Sequence, residues 1–521
     1  MILDTAFFGL ARTGTVDGKY QYPILLDSRG GEIKKEDTGM VILGDHLQLG
    51  RKFVSGFDGS SKGYDETDNF MVLTRGTSLI KHPKSFYKYL LEAHAANSYH
   101  RLLYLPGISD PYLMPVLVYL GISVFDDLQL RTESALGIFY GAMGALNGEG
   151  DSEKENRKFV KEILKTLSLS IKNLSLRNLV ENYQLSATAI EFLRLADRTM
   201  NEPENGVYPS YSGKILAYGN QSLNRPDIRR YRSYISGEYA PPSHLPILLI
   251  IPCSARKPYS TSKSHRRIAD AIQPFRKYLH ELILTSPIGL VPRELEEMYP
   301  PSFYDIPVTG DWNREEMSLI NDMLRSYLSR SKYERIVAFL PKEYGFVSEV
   351  LDPADIIFGK YNRDDDLAKL KERMSAVVSG LSTKPQRAGR WDVVSKLRLQ
   401  FGSWFPDVSG SIRVVRNFNL DQVLIDNKVN FVIVPERGKL TITRNAAPFF
   451  LESGRNVVEI DDFKPTANVY AVGVTGASPR IRQEDEVVIC HDGDVRGVGI
   501  AKMPREAMIS LSKGVAVKVR N

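Results

Sequence analysis

The chain has 521 residues, 43% hydrophobic and 25% charged, which suits a soluble protein with ordinary cores and, at about 150 residues per domain, about three or four of them. No window approaches the roughly 18 apolar residues that span a bilayer, Met1-Ile2-Leu3-Asp4 lacks the basic start of an export signal, and two cysteines exclude a disulfide framework and an all-cysteine zinc site. A cytoplasmic protein without membrane contact is the expectation. The formal charge is +6, and all of the excess lies in residues 384–521, with 21 Lys+Arg against 15 Asp+Glu. That asymmetry fits a polyanionic partner and fits equally a mildly basic solvated face.

Residues 147–157 (NGEGDSEKENR) form a polar break between apolar-periodic segments that read as helices, hence a loop within one domain. Residues 200–244, rich in Pro, Gly, Asn, Tyr and Arg, read as a linker or extended arm. Within it, residues 225–239 (RPDIRRYRSYISGEY) interleave Arg and Tyr, as an RNA-touching arm does and as a packed linker also does. From 245 to about 381 strands and helices alternate: strands at 245–251 (LPILLII), 281–285 and 335–340, helices at 267–279, 313–329 and 364–381. Such alternation builds a largely parallel sheet covered on both faces, with sites beyond the carboxyl ends of its strands. Breaks at 382–389 (STKPQRAG) and 461–466 (DDFKPT) follow. The tail, 469–521, alternates apolar and polar residues between glycine turns, the pattern of a small β-barrel, and Cys490 with His491 reads there as structural.

The chemistry concentrates after the first strand of the alternating region. Pro252-Cys253-Ser254-Ala255-Arg256-Lys257-Pro258-Tyr259, then Ser262 and His265, place a thiol, cations, a phenol, hydroxyls and an imidazole in one loop. A cysteine nucleophile needs a lowered pKa, which Lys257, Arg256 and the amino end of the next helix favour, and His265 can act as general acid or base. Strand-end packing of Cys253 is the competing reading of the same residues.

The string Pro252-Cys253, Lys257-Pro258-Tyr259, Ser262 and His265 resembles the PC-x3-KPY-x2-S-x2-H motif of the archaeosine synthases, archaeal tRNA-modifying enzymes related to the tRNA-guanine transglycosylases. Thr285-Ser286-Pro287-Ile288-Gly289, Val291-Pro292-Arg293-Glu294-Leu295-Glu296, Tyr304-Asp305 and Val308-Thr309-Gly310-Asp311-Trp312 resemble further blocks of that family. Residues 103–111 (LYLPGISDP) and Val124-Phe125-Asp126-Asp127 resemble the transglycosylase barrel, yet no cysteine precedes Cys253, so the three-cysteine zinc site of that enzyme is absent, and about 200 residues are short for a (β/α)8 barrel. Gly476-Ala477-Ser478-Pro479, Asp485-Glu486-Val487-Val488 and residues 495–501 resemble a PUA domain, an RNA-binding module.

The expected fold is multidomain α/β: a decayed TIM-barrel-like domain at 1–220, an α/β catalytic domain at 221–383, a small α+β tRNA-contact domain at 384–462 and a PUA β-barrel at 463–521. The resemblance implies a tRNA carrying 7-cyano-7-deazaguanine at position 15 and conversion of its nitrile to an amidine. Cys253 would attack the nitrile, Lys257 would polarise the nitrogen, and Tyr259, His265 or Asp305 would supply the proton. Ser254, Pro258, Ser262, Arg293, Glu294 and Asp311 are the expected substrate contacts, and Arg256, Arg266, Arg390, Lys396, Arg398, Arg480, Arg482, Lys502 and Arg505 the expected RNA contacts. No metal or redox cofactor is needed. The donor is lysine, or else glutamine-derived ammonia; lysine is favoured because Cys490 belongs to the tail and no second thiol is placed to release ammonia. The lysine version implies a radical-SAM partner protein, and a homo-oligomer stays open. Two other readings remain, a noncatalytic tRNA-binding subunit and a true transglycosylase.

Overall fold

The apolar run forms strand β1 (Ile247–Pro252), whose first five residues are all buried. A strand with no polar residue to turn toward water must lie inside a sheet covered on both faces. In the computed structural model β1 is the middle of five strands in the order β3-β2-β1-β4-β5, with β2 (Leu279–Thr285), β3 (Gly289–Pro292), β4 (Arg335–Leu340) and β5 (Ile356–Phe358). β2 and β4 run parallel to β1, with Ile247 opposite both Leu279 and Arg335, and β5 runs parallel to β4; β3 folds back antiparallel on β2. After β1 the chain adds strands on one side and then crosses to the other. The carboxyl ends of β1 and β4 therefore flank a topological switch point, where open α/β sheets leave a crevice.

The structure describes residues 2–27, 40–43, 46–49, 52–55, 64–66, 69–199, 206–307, 310–384, 390–408, 410–417 and 420–520. Val308, Thr309 and the stretches 200–205 and 385–389, which the sequence reading used, lie outside them. The chain divides into two units, Met1–Gly213 with Gly454–Asn521, and Lys214–Ser453.

In the second unit, helix α1 (Lys263–Ile272) starts four residues before the expected 267 and stops well before 279. Ser262 sets the start: its hydroxyl accepts the His265 N–H at 3.2 Å, satisfying one of the orphan donors of the first turn. Pro274 sets the end, since it lacks an N–H and disfavours helical geometry in the residue before it; residues Gln273–Tyr278 continue as a 3-10 turn. Helix α2 (Arg314–Ser329) opens with a capping box between Asn313 and Glu316. Helix α3 (Asp364–Ser379) packs against α1, β4 and β5, while α2 packs against β3. The Arg/Tyr-rich stretch is packed linker: Arg225 and Tyr231 are buried, Tyr231 donates to the Leu290 carbonyl at 3.0 Å, and Tyr239 donates to Glu294. Residues 390–453 add helix α4 (Trp391–Phe401) and a four-stranded antiparallel sheet around Phe401, Phe405, Phe431 and Phe450.

In the first unit the expected TIM-like barrel is not found among the described residues. Five strands form an open sheet in the order Ile24–Leu26, Ile122–Asp126, Leu102–Tyr104, Phe70–Val72, Asp65–Glu66, the first four parallel and the last antiparallel. Asp126, within the transglycosylase-like segment, accepts from Tyr104 Oη, Gly107 N and Leu128 N at 2.7, 2.7 and 2.9 Å, so both its oxygens hold the loops after two strands. The segment expected as a helix before the polar break at 147–157 is a hairpin, Ile138–Gly141 with Gly144–Asn147, because Gly137 and Gly144 turn the chain at φ of 76° and 131°. Arg177, wholly buried, bonds Glu181 at 2.6 Å and Asp197 at 2.9 Å. The tail forms a six-stranded sheet that takes in Val457–Ile460, parallel to Glu486–His491, so its pairing starts before the break at 461–466. Gln483 ties this sheet to the amino terminus, its side chain donating to the Phe7 carbonyl at 2.6 Å.

Candidate active site

Cys253 directly follows β1, its N–H donating to the Leu284 carbonyl of β2 at 3.1 Å. Its sulfur, half-buried, borders a cavity of about 330 Å³ in the crevice predicted by the strand order. Ser254, His265 and Asp311, expected from sequence, line it too. So do Ser286 and Trp312, from the further family-like blocks, and Glu316, Glu343, Tyr344 and Tyr361, which neither the motif nor those blocks indicated. Tyr344 follows β4, and its hydroxyl lies 3.6 Å from Cys253 Sγ. Trp312 meets the Tyr344 ring edge-on at 5.0 Å, giving the cavity an aromatic wall. Among the described residues the lining carries three carboxylates, Asp311, Glu316 and Glu343, and no Lys or Arg. The rule that sites form at strand carboxyl ends would have pointed to residues 341–344 had the strand order been known.

Beneath the loop lies a second layer. Tyr259, wholly buried, shares a 2.7 Å hydrogen bond with Tyr304, and Tyr304 bonds Thr285 at the end of β2. Burial drives both phenols up, so neither releases a proton near neutrality. Lys257 Nζ sits 3.9 Å from the centre of the Tyr304 ring, a cation–π contact that anchors the loop. Burial pulls its ammonium below the ordinary value while Cys253 and Asp305 oppose the shift.

His265 stacks on Tyr259 at 5.6 Å, and its Nδ1 accepts from Arg293 Nη2 at 2.8 Å. Burial first, and the Arg293 charge second, push its pKa down to about 3, with the Pro252 carbonyl opposing. It is a neutral ring at physiological pH.

The remaining expected contacts scatter. Asp305 is half exposed and paired with Lys214 at 2.8 Å, which lowers its pKa. Glu294 faces away from the cavity lining: its oxygens are taken by Tyr239 at 2.6 Å and His280 at 3.2 Å. Ser262 is the helix cap, and Pro258 offers its carbonyl to Thr261. Among the expected RNA contacts, Arg390 pairs with Asp392, Lys396 with Glu297, Arg398 with Asp407 and Lys502 with Glu484, and Arg505 donates to the Ala477 carbonyl. Arg256, Arg266 and Arg480 are exposed and carry no ion pair among the described residues; Arg482 is half-buried. Cys490 is buried against Glu459 at 2.8 Å, and burial with that carboxylate pushes its thiol up to about 12.

An α/β domain with a strand-end thiol is thus joined in one chain to an RNA-binding module: a family model described as PUA domain matches residues 461–521, and one described as Domain of unknown function (DUF5591) matches residues 228–374. The chain is 40% identical to the archaeosine synthase subunit alpha of Thermoplasma acidophilum over 521 residues, all of both chains. It is 31% identical to the protein of the same name in Methanosarcina acetivorans, over 80% of this chain and 74% of the relative. A tRNA-guanine(15) transglycosylase of Methanobrevibacter smithii matches at 21% identity over 68% of this chain and 52% of its own length. The chain belongs to the archaeosine synthase family. No helix among the described residues is long and apolar enough to cross a membrane.

Proposed function

We propose that this protein modifies tRNA by adding an amine to the nitrile of 7-cyano-7-deazaguanine at position 15, through a thioimidate on Cys253. The observation that carries the reading is the Cys253 sulfur at the wall of a cavity of about 330 Å³, at the switch point of a parallel sheet. A nitrile carbon is an electrophile that a thiol attacks readily, and a covalent intermediate divides one hard addition into two easier ones. The base must leave its stack to reach such a cavity, and Trp312 and Tyr344 offer aromatic faces for it. Among the described lining residues, three carboxylates and no Lys or Arg favour a donor that carries positive charge, such as lysine, over glutamine or ammonia-releasing chemistry. The PUA domain supplies contact to RNA.

The test is mass spectrometry of nucleosides after incubating the protein with cyano-modified tRNA and, separately, lysine, glutamine or ammonium. A mass gain equal to intact lysine is expected. No gain with any donor, or full activity in Cys253→Ala, sinks the covalent reading and returns the protein to a tRNA-binding subunit.

A further inference from the structure

A guanidinium carries five N–H donors and no acceptor. Because Arg293 Nη2 lies 2.8 Å from His265 Nδ1, that nitrogen accepts, and the neutral ring carries its one proton on Nε2. Arg293 is not free to turn away. Its Nε and Nη2 bond Glu281 Oε2 at 2.8 and 2.6 Å, and its Nη1 bonds Glu296 Oε2 at 2.6 Å. Glu296 in turn accepts the Ser260 N–H at 3.0 Å, so the clamp that orients the imidazole is tied to the loop that presents Cys253. His265 is 2% exposed and lines the Cys253 cavity, and among the described residues its Nε2 finds only the Pro252 carbonyl, outside ordinary hydrogen-bond geometry. A buried donor so poorly matched is costly, and a substrate that brings a better-placed acceptor removes the cost.

We propose that His265 is a neutral hydrogen-bond donor, its proton held on Nε2 by Arg293, aimed at the nitrogen of the substrate nitrile. This rests on the nitrile chemistry above and sharpens it. As the Cys253 Sγ–C bond forms, one π bond of the nitrile breaks, its electron pair moves to nitrogen, and the proton of the thiol ends on that nitrogen. The Nε2 proton stays on His265 and stabilises the developing charge, as preorganised donors do at oxyanion sites. The donor amine then adds to the same carbon and loses a proton, and the sulfur leaves with a proton, so nothing is oxidised or reduced. With its proton on Nδ1 the ring would instead turn a lone pair toward the growing negative charge. A general-base role for His265 also needs a bare Nε2, which the Arg293 contact denies. Arg293 is a positioning residue: it acts through the imidazole.

Two measurements on the full-length protein test this. Nitrogen-15 NMR of histidine-labelled protein, free of tRNA, is expected to show His265 protonated at Nε2 and unchanged between about pH 5 and 8. Arg293→Lys keeps a cation for Glu281 and Glu296 but loses the fork, and is expected to release His265 to mixed tautomers while burial still holds its titration low. An Nδ1-protonated ring, or wild-type titration near the ordinary histidine value, overturns the proposal. Second, intact-protein mass spectrometry follows the Cys253 adduct on cyano-modified tRNA without amine. His265→Gln, which keeps an N–H, is expected to form it within about tenfold of wild type, and His265→Leu at least about a hundredfold more slowly. Equal rates in the Leu variant, with tRNA binding intact, overturn the donor role. A wild-type protein that forms no adduct removes the nitrile as the acceptor, whereas the NMR result judges the locked tautomer separately.

Discussion

The Tyr344 hydroxyl reaches to 3.6 Å from the Cys253 sulfur across the gap between the carboxyl ends of β4 and β1. Burial, then the neighbouring Cys253, push the Tyr344 phenol up, so it stays protonated and is able to donate to a thiolate. In Tyr344→Phe the alkylation of Cys253 by iodoacetamide near neutral pH should slow about tenfold, the size of one hydrogen bond to a charged group. An unchanged rate and pH profile would remove Tyr344 from the site.

The two cysteines should separate cleanly. Cys490 is buried and its thiol is pushed up to about 12, whereas Cys253 borders an open cavity. Native protein should take up one equivalent of a thiol reagent at Cys253, found by peptide mapping, and Cys490 should react only after denaturation. Labelling that persists in native Cys253→Ala would contradict this.

His265 links stability to acid. Its folded pKa is down at about 3, below the ordinary 6.5 of the unfolded chain, so between those values the unfolded state binds a proton that the folded state refuses. Its contribution is complete above about pH 6.5 and is lost as the pH falls toward 3, a few kcal/mol in all by order of magnitude. All three tryptophans, Trp312, Trp391 and Trp404, lie in the Lys214–Ser453 unit, so tryptophan fluorescence reads that unit. Its urea midpoint should drop between about pH 7 and 5, and drop less in His265→Gln.

The basic residues should divide by whether they are already paired. Arg480 and Arg256 are exposed and unpaired among the described residues, while Lys396 holds Glu297 at 3.1 Å. Arg480→Ala and Arg256→Ala should each weaken tRNA binding and flatten its salt dependence by about one charge, whereas Lys396→Ala should change the slope much less. Filter binding over a salt series reads the difference, and identical slopes would refute it.

Sequence by itself singled out Cys253 and His265, which line one cavity, and the strand that leads into Cys253, because a chemical motif and an unbroken apolar run are both written in nearby residues. It also excluded a three-cysteine zinc site, since that needs only counting. It placed the start of α1 four residues late, because capping by Ser262 depends on where the loop points its hydroxyl. Periodicity misread the hairpin at residues 138–147 as a helix, since short apolar runs fit both patterns and glycine turns decided the outcome. The open sheet found among the described residues, where a barrel was expected, was beyond reach as well, because closure depends on pairing between distant strands.

What the tertiary structure alone decided is which groups meet. Tyr344 lies 91 residues from Cys253 and reaches it only because β4 pairs with β1. Arg293, expected to touch substrate, bonds His265 Nδ1, and Glu294, one residue further on, turns to Tyr239 and His280. Adjacent residues on a turn point in different directions, and the direction follows from the packing of the sheet and not from their order in the chain.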